Sequence, residues 1–223
     1  MTNIKVWGRR NSVNVQKVMW AIGEMNLEFK RYDIAGSFGI DDNYLKLNPS
    51  GTVPTIEDGD FILWESNACV RYLAREYGIG TLYPEDSQTV GLAEQWMDSQ
   101  TSSLYPVFMP IFLNKVRSTS EQYNPQQVAE GLKGCNLFFE KLNRYLKNHD
   151  FLADSKLSIG DISIGSMMYR YYEMDIERPE FKFVDKWYQR LMDRPAYQKN
   201  VMIPFGSNLK EWLELEKVNA GIQ

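Results

Sequence analysis

The sequence predicts a small mixed-sheet α/β domain over residues 1–79, a linker at 80–87 and an all-helical domain over 88–223. Three observations carry this. The chain opens strand–helix–strand, which implies a parallel pair and a right-handed crossover. A strand–turn–strand–helix pattern then runs between the turn signal Asn48-Pro49 and Gly78. Beyond the linker, every apolar pattern has helical period.

Ile4-Lys5-Val6-Trp7 alternates as a short strand and stops at Gly8. Arg9-Arg10-Asn11-Ser12 is a polar loop, after which Val15, Val18, Met19, Ile22 and Met25 share one helical face. Residues 27–34 return as a second strand, a loop with Gly36 and Gly39 follows, and 42–47 reads as a helical turn. Asn48-Pro49, Ser50-Gly51 and Asp58-Gly59 bound strands at 53–57 and 61–63, and a helix runs from Glu65-Ser66 to Gly78. In the second domain Ser87 is positioned to cap a long helix bearing Val90, Ala93, Trp96 and Met97. Pro106 and Pro110 are expected to kink or divide its far part. Asn124-Pro125 is a cap with proline at the first helical position, and Val128, Leu132, Cys135, Phe139, Leu142 and Leu146 form the stripe of the helix it opens. Phe151-Leu152-Ala153-Asp154 leads into Leu157-Ser158-Ile159-Gly160-Asp161, where Ser158 and Asp161 make a variant capping box of structural purpose. Its helix carries Ile162, Ile164, Met167, Met168 and Tyr171. Phe183, Trp187, Leu191 and Met192 mark another helix, Arg194-Pro195 starts a short one, and 208–218 forms a terminal one.

Composition removes several function classes. A formal net charge of −4 with interspersed signs gives no nucleic-acid or membrane surface, and no apolar run reaches bilayer length. The start, M-T-N-I-K-V-W-G, has no signal-peptide pattern, and Cys69 and Cys135 both fall in helical apolar patterns. Together these predict reduced, packed thiols in a cytoplasmic protein and no metal site. His149, the single histidine, sits in a polar N-H-D turn, which argues for a solvent-facing loop residue over a member of a catalytic triad.

The chemistry concentrates in residues 48–72. Pro54 removes a backbone donor near the start of a strand, so the strand is short or leaves an edge free. Glu65-Ser66 puts a carboxylate and a hydroxyl at a helix mouth, where unpaired N–H groups gather. An open strand edge beside a helix N-terminus suits a small extended peptide with a carboxylate.

I-K-V-W-G-R-R-N-S-V-N-V-Q-K-V, N-P-S-G-T-V-P and L-W-E-S-N-A-C-V-R-Y-L-A, in this architecture, resemble the cytosolic glutathione transferases, most of all the bacterial, phi/theta-like, serine-using branch. F-L-A-D-S-K-L-S-I-G-D resembles the cap of that family's central helix, so the resemblance covers nearly the whole chain. It implies a thioredoxin-like first domain, glutathione as cosubstrate, a homodimer and conjugation of a small apolar electrophile. A dehalogenase or peroxidase on the same site, or a non-catalytic interaction module, are the alternatives. In the family, the residue matching Val53 pairs its backbone with the cysteinyl part of glutathione, with Thr52 beside it, and the proline matching Pro54 is cis. Residues matching Glu65 and Ser66 hold the γ-glutamyl end, and Ser12 matches the catalytic serine.

A serine there has a quantitative rationale. A free thiol titrates near pH ~8.5, and lowering it by two units needs about 2.7 kcal/mol. A hydrogen bond to a charged acceptor gives roughly 1.5–3 kcal/mol and a helix N-terminus about 0.3–1 kcal/mol. Ser12 at a helix start therefore suffices without a general base. Two departures keep alternatives open. Relatives often have S-x-P-C-R where this chain has S-V-N-V-Q, so Asn11 or Asn14 are alternative donors to sulfur. Relatives also carry a His or Lys near the position of Phe38-Gly39-Ile40 for the glycyl carboxylate, leaving Lys46 and Arg10 as candidates here. Asp98 is either a residue reaching the glutathione ammonium across a dimer or a surface charge. Arg9 and Arg10 would strengthen the local positive field; Arg9 is also a candidate for the cosubstrate pocket, and Tyr105, Phe108, Met109, Phe112 and Phe205, with Trp212, are candidates for that pocket or for core. Ser12 and Ser66 both also suit plain helix capping.

Overall fold

The computed structural model describes residues 3–153 and 155–222. Asp154 of the segment preceding the central helix therefore lies outside the described residues. The first domain runs β1 (Ile4–Trp7), α1 (Val13–Glu24), β2 (Phe29–Tyr32), a short 3-10 turn (Gly36–Phe38), α2 (Asp42–Leu47), β3 (Thr55–Asp58), β4 (Phe61–Trp64) and α3 (Ser66–Tyr77). The four strands lie in the order β2-β1-β3-β4. β1 pairs parallel with β2 and antiparallel with β3, and β3 pairs antiparallel with β4. This is a thioredoxin-like sheet, as the strand–helix–strand pattern and the resemblance together implied.

Two strand boundaries differ from expectation for identifiable reasons. β3 starts at Thr55 rather than at residue 53, because Pro54 has no N–H for the ladder; the Val53-Pro54 peptide is cis. β2 covers four residues because β1 offers only four partners, though Gly8 N–H and Arg9 N–H extend the pairing to the carbonyls of Tyr32 and Ile34. β3 and β4 join through Gly59-Asp60, with Gly59 at φ +60°, which a side chain rarely adopts.

The helical domain contains α4 (Ser87–Ser99), α5 (Tyr105–Phe112), α6 (Pro125–Leu146), α7 (Ile159–Glu173), α8 (Lys182–Met192), α9 (Pro195–Asn200) and α10 (Leu209–Val218). Asp86, not Ser87, caps α4: its carboxylate accepts the Thr89 N–H at 2.9 Å. Pro106 and Pro110 lie where the long helix is divided, without ending it. Residues 87–117 run on through wide π turns at Gln100–Leu104 and Leu113–Arg117, which relieve the crowding and missing donors that prolines impose. Asn124 caps α6 by accepting from the N–H groups of Gln126 and Gln127. α7 is buried on nearly every face, between α1 and α3 of the first domain and α4 and α8 of the second. There Gly165 lets the Trp20 ring approach so closely that a Cβ would lie 2.9 Å from it. Trp20 in turn packs edge-on against Tyr197, which fixes α9 to α1. Cys69 and Cys135 are free and buried, and burial pushes both thiols up to about 12. His149 is exposed at the end of α6, stacked on Tyr145. Among the described residues no helix is long and apolar enough to cross a membrane.

Candidate active site

Strand register brings the conspicuous segments together. Trp7 pairs with Thr55, and Thr55 pairs with Trp64. The loop leaving β1, the loop entering β3 and the start of α3 therefore lie side by side at one end of the sheet. The helical domain closes over that end, leaving a cavity of about 230 Å³. Asn11, Ser12, Asn14, Thr52 and Val53 line it from the first domain, and Tyr105, Met109, Phe112 and Trp212 from the second.

Ser12 occupies the N-cap position of α1 with an extended backbone, yet its hydroxyl makes no capping bond. Its backbone does the local work: the N–H donates to the Arg9 carbonyl and its carbonyl accepts from Gln16 N–H. The hydroxyl, on a residue only 9% exposed, thus remains available to a ligand in the cavity. Asn11 is buried, and neither its amide nitrogen nor its amide oxygen has a hydrogen-bond partner among the described residues. Asn14 is engaged instead, accepting from the Ser66 hydroxyl at 3.3 Å.

The loop before β3 is shaped by Asn48. Its side-chain oxygen accepts from Ser50 N–H at 3.0 Å, and its amide donates to the Thr52 carbonyl at 2.9 Å. The Tyr44 hydroxyl donates to the same carbonyl. With the chain so held and β3 beginning at Thr55, Val53 lies outside the ladder at the cavity edge. Glu65, exposed, stands at the head of α3 with φ +70°, a strained conformation for a residue with a side chain. Ser66 follows, buried, as the first residue of α3.

Behind Ser66 lies Lys17, which sequence reasoning missed. Its ammonium is buried and faces three neutral acceptors: Gln100 Oε1 at 2.9 Å, Asn67 Oδ1 at 3.2 Å and Ser66 Oγ at 3.4 Å. Burial pushes it down to about 7, and the negative charge of Glu65 pulls the other way. Arg117 and Arg170, also missed, line the cavity from the helical domain. Arg170 falls three residues after Met167 and four before Met174 on the apolar face of α7, a lone cation on a core stripe. That was a readable signal. Lys17 gave none, because α1 is covered on almost every side by the sheet, α3 and the helical domain.

Arg9 lines the cavity and forms an ion pair with Glu216 of α10 at 2.8 Å. Other candidates lie elsewhere. Arg10 turns away and donates to Asn219 and to the Lys199 carbonyl. Lys46 is exposed on α2 and donates to Asn43 at 3.3 Å. Asp98 pairs with Arg71 at 2.6 Å on the surface. Phe108 is wholly buried behind Phe112, and Phe205 packs edge-on against Phe112 while lining a neighbouring cavity. Pro54 is buried behind Val53.

The chain is similar to known proteins along most of its length. The family profile described as "Glutathione S-transferase, N-terminal domain" matches residues 2–75, and "Glutathione S-transferase, C-terminal domain" matches residues 103–195. Glutathione S-transferase GstB of Escherichia coli (strain K12) is 35% identical over 205 residues, covering 90% of this chain and 99% of that one. Glutathione S-transferase D6 of Drosophila melanogaster is 28% identical over 200 residues, covering 88% of this chain and 91% of that one. Among solved structures, the theta class glutathione S-transferase of Xanthomonas axonopodis pv. citri with glutathione bound superposes with a TM-score of 0.89 at 38% identity. That match covers 92% of this chain and all of the other. With profiles on both domains and a relative aligned along nearly its full length, the chain belongs to the glutathione S-transferase family.

Proposed function

We propose that the protein is a glutathione transferase whose first domain, residues 1–79, holds glutathione while Ser12 stabilises its thiolate for attack on a small electrophile. The observation that carries this is the unspent Ser12 hydroxyl, at the start of α1 in the cavity where Val53 and Asn14 converge. The glutathione-bound Xanthomonas relative supports the choice of ligand. The peptide backbone of glutathione would pair with Val53, left outside the β-ladder. Its γ-glutamyl carboxylate would meet the Ser66 hydroxyl and the free N–H groups of α3, and its ammonium Glu65. The sulfur then faces Ser12, and the electrophile's apolar skeleton packs on Tyr105, Met109, Phe112 and Trp212. No general base is needed, because the thiol proton leaves to solvent.

The same reading makes the protein a homodimer and places it in the cytoplasm, where both cysteines stay reduced, as a detoxifying enzyme for foreign electrophiles. The apolar side chains of Phe61, Ile62 and Trp64 are exposed along β4, an edge strand, and a second copy related by two-fold symmetry would cover them. Sedimentation should give twice the chain mass, and Phe61→Asp should yield monomer.

Ser12→Ala tests the mechanism. Loss of a hydrogen bond of ~1.5–3 kcal/mol to a thiolate corresponds to a rise of about 1–2 units in the bound thiol pKa. Thiolate absorbance followed against pH should show that rise, with kcat/KM near neutral pH falling roughly 10- to 100-fold. An unchanged thiol pKa in Ser12→Ala, with a rise in Asn11→Ala instead, would transfer the role to Asn11.

A further inference from the structure

The cavity beside Ser12 carries more positive charge than one thiolate requires. Arg9, Arg117 and Arg170 all line it. Arg9 is paired with Glu216 at 2.8 Å, and that carboxylate also accepts from the Ser37 N–H at 2.8 Å. Among the described residues neither Arg117 nor Arg170 has an acidic partner. Arg117 lies against the Trp212 ring, its guanidinium 5.1 Å from the ring centre. Arg170, 3% exposed, donates to the Asn11 carbonyl and sits 4.6 Å from the Phe112 ring centre and 5.6 Å from that of Trp212. Burial together with Arg9 and Arg117 pushes Arg170 down to about 9, which records how poorly its charge is compensated. A buried cation without a counterion is costly, and an arriving anion removes that cost. The Asn11 amide, buried in the same wall with both polar atoms unpartnered, is a second vacancy for a polar group.

Glutathione's γ-glutamyl end does not account for this arrangement. Its γ-glutamyl carboxylate belongs at Ser66 and α3, and its peptide lies along Val53 on the first domain. Arg117 and Arg170 come from the helical domain, from the end of the long helix and from α7, across the cavity from that edge. They face the place where the second substrate must sit.

We propose, building on the glutathione-transferase reading above, that the preferred electrophile carries a carboxylate on a small aromatic or unsaturated skeleton. Tyr105, Met109, Phe112 and Trp212 pack the skeleton, and Arg117 and Arg170 pair with the carboxylate. Guanidinium groups suit this role because they bind carboxylates in a planar fork and stack on aromatic faces at the same time. The pairing also offsets the repulsion between a thiolate and an anionic substrate. For an aryl chloride the balance is simple. The thiolate sulfur bonds to the ring carbon, the carbon–chlorine bond breaks, and chloride leaves with the bonding pair.

The test compares a para-chlorodinitrobenzoate with its neutral benzamide, each rate divided by its uncatalysed reaction with glutathione. The expected result is a kcat/KM at least about ten-fold higher for the benzoate, a preference that declines as salt rises. Arg117 lines the cavity and is only partly buried, so Arg117→Met should fold; it should reduce the benzoate-to-benzamide ratio about ten-fold. Calorimetry gives a readout independent of turnover: unreactive dinitrobenzoate should bind the glutathione-loaded protein at least ten-fold more tightly than dinitrobenzamide. Equal handling of acid and amide in both assays overturns the proposal. So does an Arg117→Met variant that raises KM for glutathione while leaving the acid preference intact, which would assign the arginines to the glycyl carboxylate. Failure to bind glutathione at all would instead remove the underlying reading.

Discussion

Lys17 shows how much one side chain can couple to the ligand. Its buried ammonium has only neutral acceptors within reach, so the charge is held weakly and titrates near neutrality, at about 7. A γ-glutamyl carboxylate arriving at Ser66 would put a negative charge just beyond the Ser66 hydroxyl and stabilise the protonated form. Binding at pH 8 should therefore take up a proton, and binding at pH 6, where Lys17 is already charged, should take up much less. S-methylglutathione isolates the effect, since its blocked thiol releases no proton. Calorimetry in two buffers of different ionisation enthalpy measures the uptake, and Lys17→Met should abolish it and weaken binding roughly ten-fold. The stability consequence has a definite sign. Lysine in the unfolded chain titrates near ~10.4 and in the native state near 7, so between those values the unfolded chain binds more protons. Stability should thus rise as pH rises through that window, and the rise should flatten in Lys17→Met. Parallel urea-unfolding curves for the two proteins across the window check this.

At the scale of elements, the start of α7 organises the helical domain. The Asp161 carboxylate is buried and accepts from Leu152 N–H, Ser158 N–H, the Ser158 hydroxyl and the Trp187 indole, each at 2.8–3.0 Å. Burial nevertheless pushes it up to about 6, with those hydrogen bonds pulling down. One side chain thereby joins the segment before α7, its first turn and α8. Asp161→Ala leaves several buried donors unpaired and should cost about 3–5 kcal/mol, or about 10 °C in Tm for a chain of this size. KM for glutathione should stay within two-fold in the folded protein; a large rise in KM would mean that α7 tunes the site and does more than support it. This cap could be read from the sequence because its partners lie three residues apart, as could Asn124-Pro125. The prolines of the long helix were legible as a division, but not its form, because the chain can answer a missing donor with a wide turn. The start of β3 was nearly legible: Pro54 gave the reason, and only its consequence for Val53 had to be measured. Ser12, Val53 and Ser66 could be found because each sits at a local signal. Arg117 and Arg170 become neighbours of Ser12 only through the long-range docking of two domains, which no local pattern encodes.

At the scale of the molecule, the C-terminal segment straps the helical domain back onto the sheet. Arg31 in β2 is buried and donates to the carbonyls of Gly8, Asn219 and Ile222, beside Asp33. Gly221 N–H closes the clasp on Asp33 at 2.8 Å. One helix earlier, Glu216 holds Arg9 and the Ser37 N–H, and Trp212 on the same helix walls the cavity. The tail thus sets the position of α10, and α10 sets both the electrostatics of Arg9 and the aromatic roof over the cavity. Ending the chain after Val218 removes the Asn219 and Ile222 acceptors but leaves Arg31 its bonds to Gly8 and Asp33. The loss should therefore be partial, about 1–3 kcal/mol for hydrogen bonds to a charged group. The kinetic effect should be asymmetric. Val53, Ser66 and Ser12, the residues proposed to hold glutathione, are all on the first domain, so KM for glutathione should change less than two-fold. Under the proposed function the electrophile packs on Trp212, so its KM should rise several-fold. Steady-state kinetics with each substrate varied in turn separates the two. Equal rises in both would mean that the clasp at Arg31 shapes the loop after β1, through the Gly8 carbonyl, more than it shapes the roof.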